Sequence, residues 1–403
     1  MIPFPKQEGA YEENPKWEQM IKRQTPLYQR KVDTRSPFER DYTRILYSDA
    51  YKRLKHKTQV FYSPQNDHIC TRIEHVNIVE SISYTIAKNL GLNTQLTKVI
   101  SCSHDLGHSP FGHAGERILS EISQEILHKP FWHEQNGLYL VDCIELLEDE
   151  QDNLQNLDLT YAVRDGIVSH CGEIDENAIH PRKEAIDLQE YQKPNQYAPY
   201  TWEGCIVKIA DKISYIRRDI EDALTLNLLS DKDIEELYDL VECPHDRKIN
   251  NTNFINEFIH DLCENSSPGQ GLCFSQKTLV KLNAMKAFNY KKIYGCQKMS
   301  PSHRYFSLLL HEIFNTFFQA YDEKNTFSNL KKLQEYDKEI ILPFIQWLSR
   351  YSDLAKEGRK EIYHNKKLYD ITKKEDFAQA ILTYISGMTD NYAIQTYNRL
   401  IRF

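Results

Sequence analysis

Glycine and proline are scarce, at 14 and 15 in 403 residues. Both interrupt helices, so their scarcity leans the chain towards helix. A basic excess is also missing. Lys and Arg total 50 against 58 Asp and Glu, a formal net charge of -8, whereas a protein whose main business is coating nucleic acid carries a strong basic surplus. Nine cysteines stand at 70, 102, 143, 171, 205, 243, 263, 273 and 296 with no C-x-x-C pair, so spacing supports neither a zinc ribbon nor a disulfide framework. No run approaches the length of about 18 apolar residues that a membrane span needs. The opening segment MIPFPKQEGAYEENPKWEQM lacks the apolar centre of a signal peptide. Internal repeats and low-complexity tracts are absent too. These absences predict a reduced, cytoplasmic, soluble protein with no membrane partner, and they weigh against nucleic acid as the main partner.

What the chain does have is a sizeable apolar fraction, 40%, beside 27% charged residues, enough to bury a core. Its length predicts one large globule or two packed units. Apolar residues recur at three and four from Thr71 to Leu90 (Ile73, Val76, Val79, Ile82, Ile86, Leu90), with Gly91 as a stop. Leu96 to Asp105 reads as a second, shorter helix. From Glu203 the set Ile206, Ile209, Ile213, Ile216, Ile220 and Leu224 predicts a long amphipathic one. The last hundred residues continue in the same style, and no convincing alternating strand is found. The fold class expected is all-α. Residues 181–201, 243–252 and 263–272 read as loops. The division expected is an amino-terminal helical segment over 1–60, a catalytic core over 61–240 and a helical carboxy-terminal region over 241–403, with the break near 240–270.

Fifteen histidines are present, six of them between 75 and 133. The segment SCSHDLGHSPFGHAGERI packs His104, Asp105, His108, His113 and Glu116 together around a Gly/Pro-rich turn. Adjacent His and Asp at a helix end, joined by His75 upstream and Asp211 downstream, can enclose a divalent ion such as Mn, Fe, Zn or Mg. In the downstream helix Asp211, Tyr215 and Asp219 fall at i, i+4 and i+8 and stack along one side, with Lys208 and Lys212 nearby. On an isolated helix such a line is usually a solvated face with Lys–Asp pairing; beside a metal centre it is a cleft wall. His56, His68, His128, His245 and His260 are read as ordinary surface or core histidines.

The order His75, His104–Asp105, Asp211 resembles the HD-domain superfamily of metal-dependent phosphohydrolases. More narrowly, HDLGHSPFGHAGE (104–116) resembles the signature of the dGTPase-like deoxynucleoside triphosphate triphosphohydrolases. Supporting segments are SPFERDYTRILYSDAYKRLKHKTQVF (36–61), CTRIEHVN (70–77), FWHEQNGLYL (131–140) and ADKISYIRRDIEDAL (210–224), with LNAMKAFNYKKIYG (282–295) a looser match. The resemblance implies an HD core with a helical carboxy-terminal extension. It implies cleavage of a deoxynucleoside triphosphate (dNTP) to deoxynucleoside and inorganic triphosphate. By the same resemblance His75, His104, Asp105 and Asp211 are metal ligands. His133 paired with Glu116, together with His113 and His108, would serve catalysis, with Glu134 as an alternative carboxylate. Arg72, Lys212 and Tyr215 would meet the polyphosphate, and Asp219 and Gln59 the sugar. Family members are commonly homo-oligomers, often hexamers, and some respond to a nucleotide effector. Inside the superfamily, a cyclic-nucleotide phosphodiesterase or an alarmone hydrolase shares the four ligands but not the HSPFGHAGE extension. A nucleotide-sensing oligomeric module is the rival from another class and would be expected to lose a ligand.

Overall fold

The computed structural model describes residues 3–26, 33–62, 66–171, 177–242, 251–354 and 359–401. Among them are seventeen α-helices and one antiparallel hairpin, Leu146–Glu148 against Leu154–Asn156. The mainly helical class expected from composition holds, and the short hairpin is an addition. Residues 243–250, including His245, lie outside the described residues. The expected loop at 263–272 begins later, because the Asn251–Asn265 helix runs into it. No helix among the described residues is long and apolar enough to cross a membrane. The eight described cysteines are all free thiols.

Local chemistry starts the helices that matter. Arg72–Leu90 opens on a capping box, where the Thr71 backbone N–H donates to Glu74 Oε2 at 2.7 Å, and it stops at Gly91 with φ 72°. Thr94–Ser103 is capped by the Asn93 side chain, which accepts from the N–H groups of Gln95 and Leu96. It ends two residues before the reading from sequence, so His104 sits at its C-cap rather than within it. Thr201 caps the long Trp202–Thr225 helix. These three pack on one another through Val76, Val79, Ile82, Val99, Ile100, Ile206, Ile213 and Ile216, all buried in a first apolar core. Helices Asn251–Asn265 and Gln276–Phe288 add Phe258, Leu262, Leu282 and Met285 to that core.

A second core gathers Phe306, Leu309, Ile313, Phe344, Phe377 and Ile381 from the later helices. Helix Gly112–Leu127 gives it Ile118, Leu119 and Ile122, so this helix straddles the gap between the two cores. The loop before it is tightly constrained. A Cβ on Gly107 would lie 1.9 Å from the His133 carbonyl oxygen, so only glycine allows the two backbones to approach there. Phe111 and Gly112 are both left-handed, at φ 64° and 56°, which is costly for a phenylalanine.

Groups from outside the loop hold it. Asp390, at the start of the last helix, accepts from Phe111 N through one oxygen and from Thr58 N through the other, each at 2.9 Å. Lys57, buried, donates to the carbonyls of His108 and Ser386. Burial drives its ammonium down to about 7, so the clasp carries a weakly held charge. Asn136 donates to Gly107 O at 2.7 Å. Removing the Asp390 carboxylate would leave the buried Phe111 N–H and the partly buried Thr58 N–H without an acceptor, at about 1–3 kcal/mol each. Asp390→Ala is therefore expected to lose about 2–5 kcal/mol in urea denaturation; a variant as stable as the parent would contradict the clasp.

Candidate active site

Three helices and two helix ends deliver the histidines and carboxylates to one place. His75 comes from the first turn of Arg72–Leu90, and Asp211 from the middle of Trp202–Thr225. His75 Nε2 lies 2.9 Å from Asp211 Oδ1. His104 Nε2 lies 3.5 Å from Asp105 Oδ1 and 3.8 Å from Asp211 Oδ1, and His75 Nε2 is 3.8 Å from Asp105 Oδ2. The His104 Nδ1 is 2.6 Å from the Ser101 carbonyl. A carbonyl only accepts, so the proton sits on Nδ1 and the Nε2 lone pair is free. That Nε2 is buried and has no hydrogen-bond partner among the described residues. An orphaned imidazole nitrogen facing two carboxylates and a second imidazole fits a divalent cation by donor chemistry and by convergence.

The charges around this cluster are displaced as close packing demands. Burial pushes the Asp105 carboxyl up, but His104, Arg72 and His108 outweigh it and hold the group well below the usual carboxylate range. Asp211 is likewise lowered against its burial by the hydrogen bond from His75, whose own ring is raised by the same contact. Arg72 donates to Asp105 Oδ2 at 2.5 Å and to the Gln59 carbonyl at 3.1 Å. The sequence reading aimed this guanidinium at a substrate. Here it is 1% exposed and engaged with a carboxylate of the metal-type cluster while still lining the cavity.

A second group of rings abuts the first. His133 Nδ1 is 3.0 Å from Glu116 Oε1, and the same oxygen accepts from the His133 backbone N–H at 2.8 Å. Glu116 therefore points inward. Burial opposes the charge on His133, yet Glu134 and Glu116 raise its pKa well above the ordinary imidazole value; Glu116 is held well below its own range in return. His108 stacks on His133 with centroids 3.7 Å apart. Burial, then Arg72 and His133, push His108 well down, so a neutral ring lies against a cationic one. His113, largely exposed at the mouth, reaches Glu116 Oε2 at 3.2 Å.

The cavity these groups line has a volume of about 430 Å³, which is of small-molecule size. Gln59, Lys212, Tyr215 and Asp219 line it with the residues above, and His104 stands behind the wall. The line Asp211–Tyr215–Asp219 thus faces a cavity and is not a solvated surface. Asp219 receives a hydrogen bond from the Tyr294 hydroxyl, and burial lifts its carboxyl to about 7. Its Oδ1 and the Gln59 Oε1 are buried without a hydrogen-bond partner among the described residues. His56, His68, His128 and His260 do not line the cavity.

Sequence reasoning missed His170, Cys171, Tyr290, Tyr294 and His303, all of which line it. His170 had a readable signal. It ends an apolar helix, Tyr161–Ser169, and its Nδ1 bonds the carbonyl three residues back, as His104 does. The tyrosines come from the looser 282–295 match and are brought in only by tertiary packing.

The comparisons agree with this geometry. The family model for the HD domain matches residues 72–216, a span that begins at the His75 helix and ends past Asp211. A deoxyguanosinetriphosphate triphosphohydrolase-like protein of Rickettsia prowazekii is 30% identical over 400 residues, covering 91% of this chain and 92% of its own. One of the same description from Caldanaerobacter subterraneus is 29% identical over 92% of this chain and 86% of its own. A third, from Desulfatibacillum aliphaticivorans, is 42% identical over 190 residues, covering 47% and 48%. With a metal-type His/Asp cluster inside the matched span and similarity running over nine-tenths of its length, the chain belongs to the deoxyguanosinetriphosphate triphosphohydrolase-like family of HD-domain hydrolases.

Proposed function

We propose that the protein hydrolyses deoxynucleoside triphosphates to deoxynucleoside and inorganic triphosphate. The observation that carries this reading is the His133 ring, 3.0 Å from Glu116 and stacked on His108, directly beside the His/Asp cluster in one cavity. Cleavage at the α-phosphorus expels the sugar 5′ oxygen, a poor leaving group that needs a proton. A histidine whose cation is stabilised by two carboxylates can hold that proton at neutral pH and release it as negative charge develops. A divalent ion held by His75, His104, Asp105 and Asp211 supplies charge withdrawal from the phosphate and acidifies water.

The remaining assignments follow from chemistry at each wall. Glu116 fixes the His133 ring and its charge. His108, neutral and packed between His133 and Asp105, is positioned to contact a phosphate oxygen or to exchange the proton, and His113 stands at the mouth for the same bridging region. Arg72, Lys212 and Tyr215 face the polyphosphate. The unpartnered oxygens of Asp219 and Gln59 suit a sugar hydroxyl. The relatives are named deoxyguanosinetriphosphate triphosphohydrolase-like proteins, which makes dGTP the first substrate to try.

Two experiments test the reading. The purified protein is incubated with each dNTP and Mn²⁺ or Mg²⁺, and the products are separated by anion exchange. Tripolyphosphate and deoxynucleoside are expected; monophosphate with pyrophosphate, or no turnover with any dNTP, would overturn the proposal. The pH profile addresses the acid. Because His133 works protonated, activity falls as pH rises through its raised pKa. Glu116→Gln removes one of the two carboxylates that raise it, so the alkaline limb should move to lower pH and kcat drop about 10²–10⁴-fold. An unmoved limb would take His133 out of the role.

A further inference from the structure

Beyond the hydrolytic scheme, His133, His170 and Cys171 bring three donor atoms within 4.8 Å of one another. Neither His170 nor Cys171 has a part in that scheme, although His170 also converges with His104 and Asp105, its Nε2 4.0 Å from Asp105 Oδ1. His170 is 1% exposed, and its Nδ1 lies 2.7 Å from the Ile167 carbonyl, which fixes the proton there and leaves the lone pair on Nε2. That Nε2 has no hydrogen-bond partner among the described residues. A buried acceptor left unsatisfied asks for a donor or a cation. Burial, then the Glu134 carboxylate, push the Cys171 thiol up to about 12, and Glu134 Oε2 lies 3.4 Å from His133 Nδ1.

The donor set differs in kind from the first cluster. His75, His104, Asp105 and Asp211 offer nitrogen and oxygen, which hard and borderline ions accept. Imidazole with thiolate instead selects zinc and its softer relatives over Mg²⁺ and Mn²⁺. Zinc bonds of about 2.0–2.3 Å place tetrahedral donors roughly 3.5 Å apart. The three donor atoms, within 4.8 Å of one another, stand near that spacing.

We propose that His133, His170 and Cys171 form a second, softer metal site, taken by Zn²⁺, whose occupancy withdraws His133 from proton transfer and stops hydrolysis. The inhibitory half rests on the proposed role of His133; the binding half does not. On binding, the thiol proton and the His133 ring proton pass to solvent, leaving thiolate and neutral imidazole as ligands, with no change of oxidation state.

The test separates the two halves. Full-length protein saturated with Mn²⁺ is dialysed against Zn²⁺ and its total metal counted; in parallel, Co²⁺ replaces Zn²⁺ and the near-ultraviolet absorbance is read for a thiolate-to-cobalt band. Wild type should hold two equivalents and show the band. Cys171→Ser should hold one and lack it, and His170→Gln should weaken the second equivalent by about 10–100-fold. Added Zn²⁺ should inhibit the wild type in excess Mn²⁺ and leave Cys171→Ser hydrolysing. One equivalent in the wild type overturns the inference, even where dNTP hydrolysis proceeds. So does a second equivalent retained in Cys171→Ser, which would place the zinc on His108, His113, Glu116 and His133 instead. Two equivalents with the cobalt band but no hydrolysis of any dNTP would uphold the site and sink the reading of function.

Discussion

The carboxylate of Asp105 is a charge held almost out of reach of water, 3% exposed, and its neighbours are set by the need to satisfy it. Arg72 bonds one oxygen, while His108 and His104 stand 3.2 and 3.5 Å from the other. A lone carboxylate in such a place would be protonated; with these neighbours it stays charged. Satisfying it draws together the Arg72–Leu90 helix, the end of Thr94–Ser103 and the loop that follows. Asp211 closes the same cluster from the long Trp202–Thr225 helix. The apolar contacts of the first core give these helices their stability, but the buried charge dictates which of their faces meet.

The geometry also explains why the loop from His104 to Phe111 cannot fold on its own terms. It contains a backbone approach that only Gly107 permits and a left-handed phenylalanine. Both are imposed from outside: His133 and its helix press on Gly107, while Asp390 and Lys57 hold Phe111 and the His108 carbonyl. Residues close to the carboxy terminus therefore govern loop geometry nearly three hundred positions earlier. The hydrolytic reading needs His108 and His133 stacked and Glu116 turned inward, and these contacts maintain that arrangement.

Much of this was legible in the sequence because it is local. The three-and-four spacing of Val76, Val79, Ile82 and Ile86 predicts a buried helical face, and His75 shares it. HDLGHSPFGHAGE carries its glycines and histidines in one short stretch, so a single motif exposes both the tight turn and the ring cluster. What escaped is what tertiary packing decides. The sequence places Arg72 at the polyphosphate, and only the fold reveals that its guanidinium also bonds Asp105. Tyr290 and Tyr294 belong to the looser 282–295 match, and tertiary packing alone brings them to the cavity. The hairpin at Leu146–Asn156 is too short for strand periodicity to register.

The central claim is that one cation, held by His75, His104, Asp105 and Asp211, organises the site. Anomalous diffraction from crystals grown with Mn²⁺ as the sole divalent metal addresses it directly. The account predicts a single strong manganese peak within about 2.0–2.3 Å of donor atoms from all four residues. A peak elsewhere, or none while Arg72 and Asp105 remain paired as they are here, would contradict it.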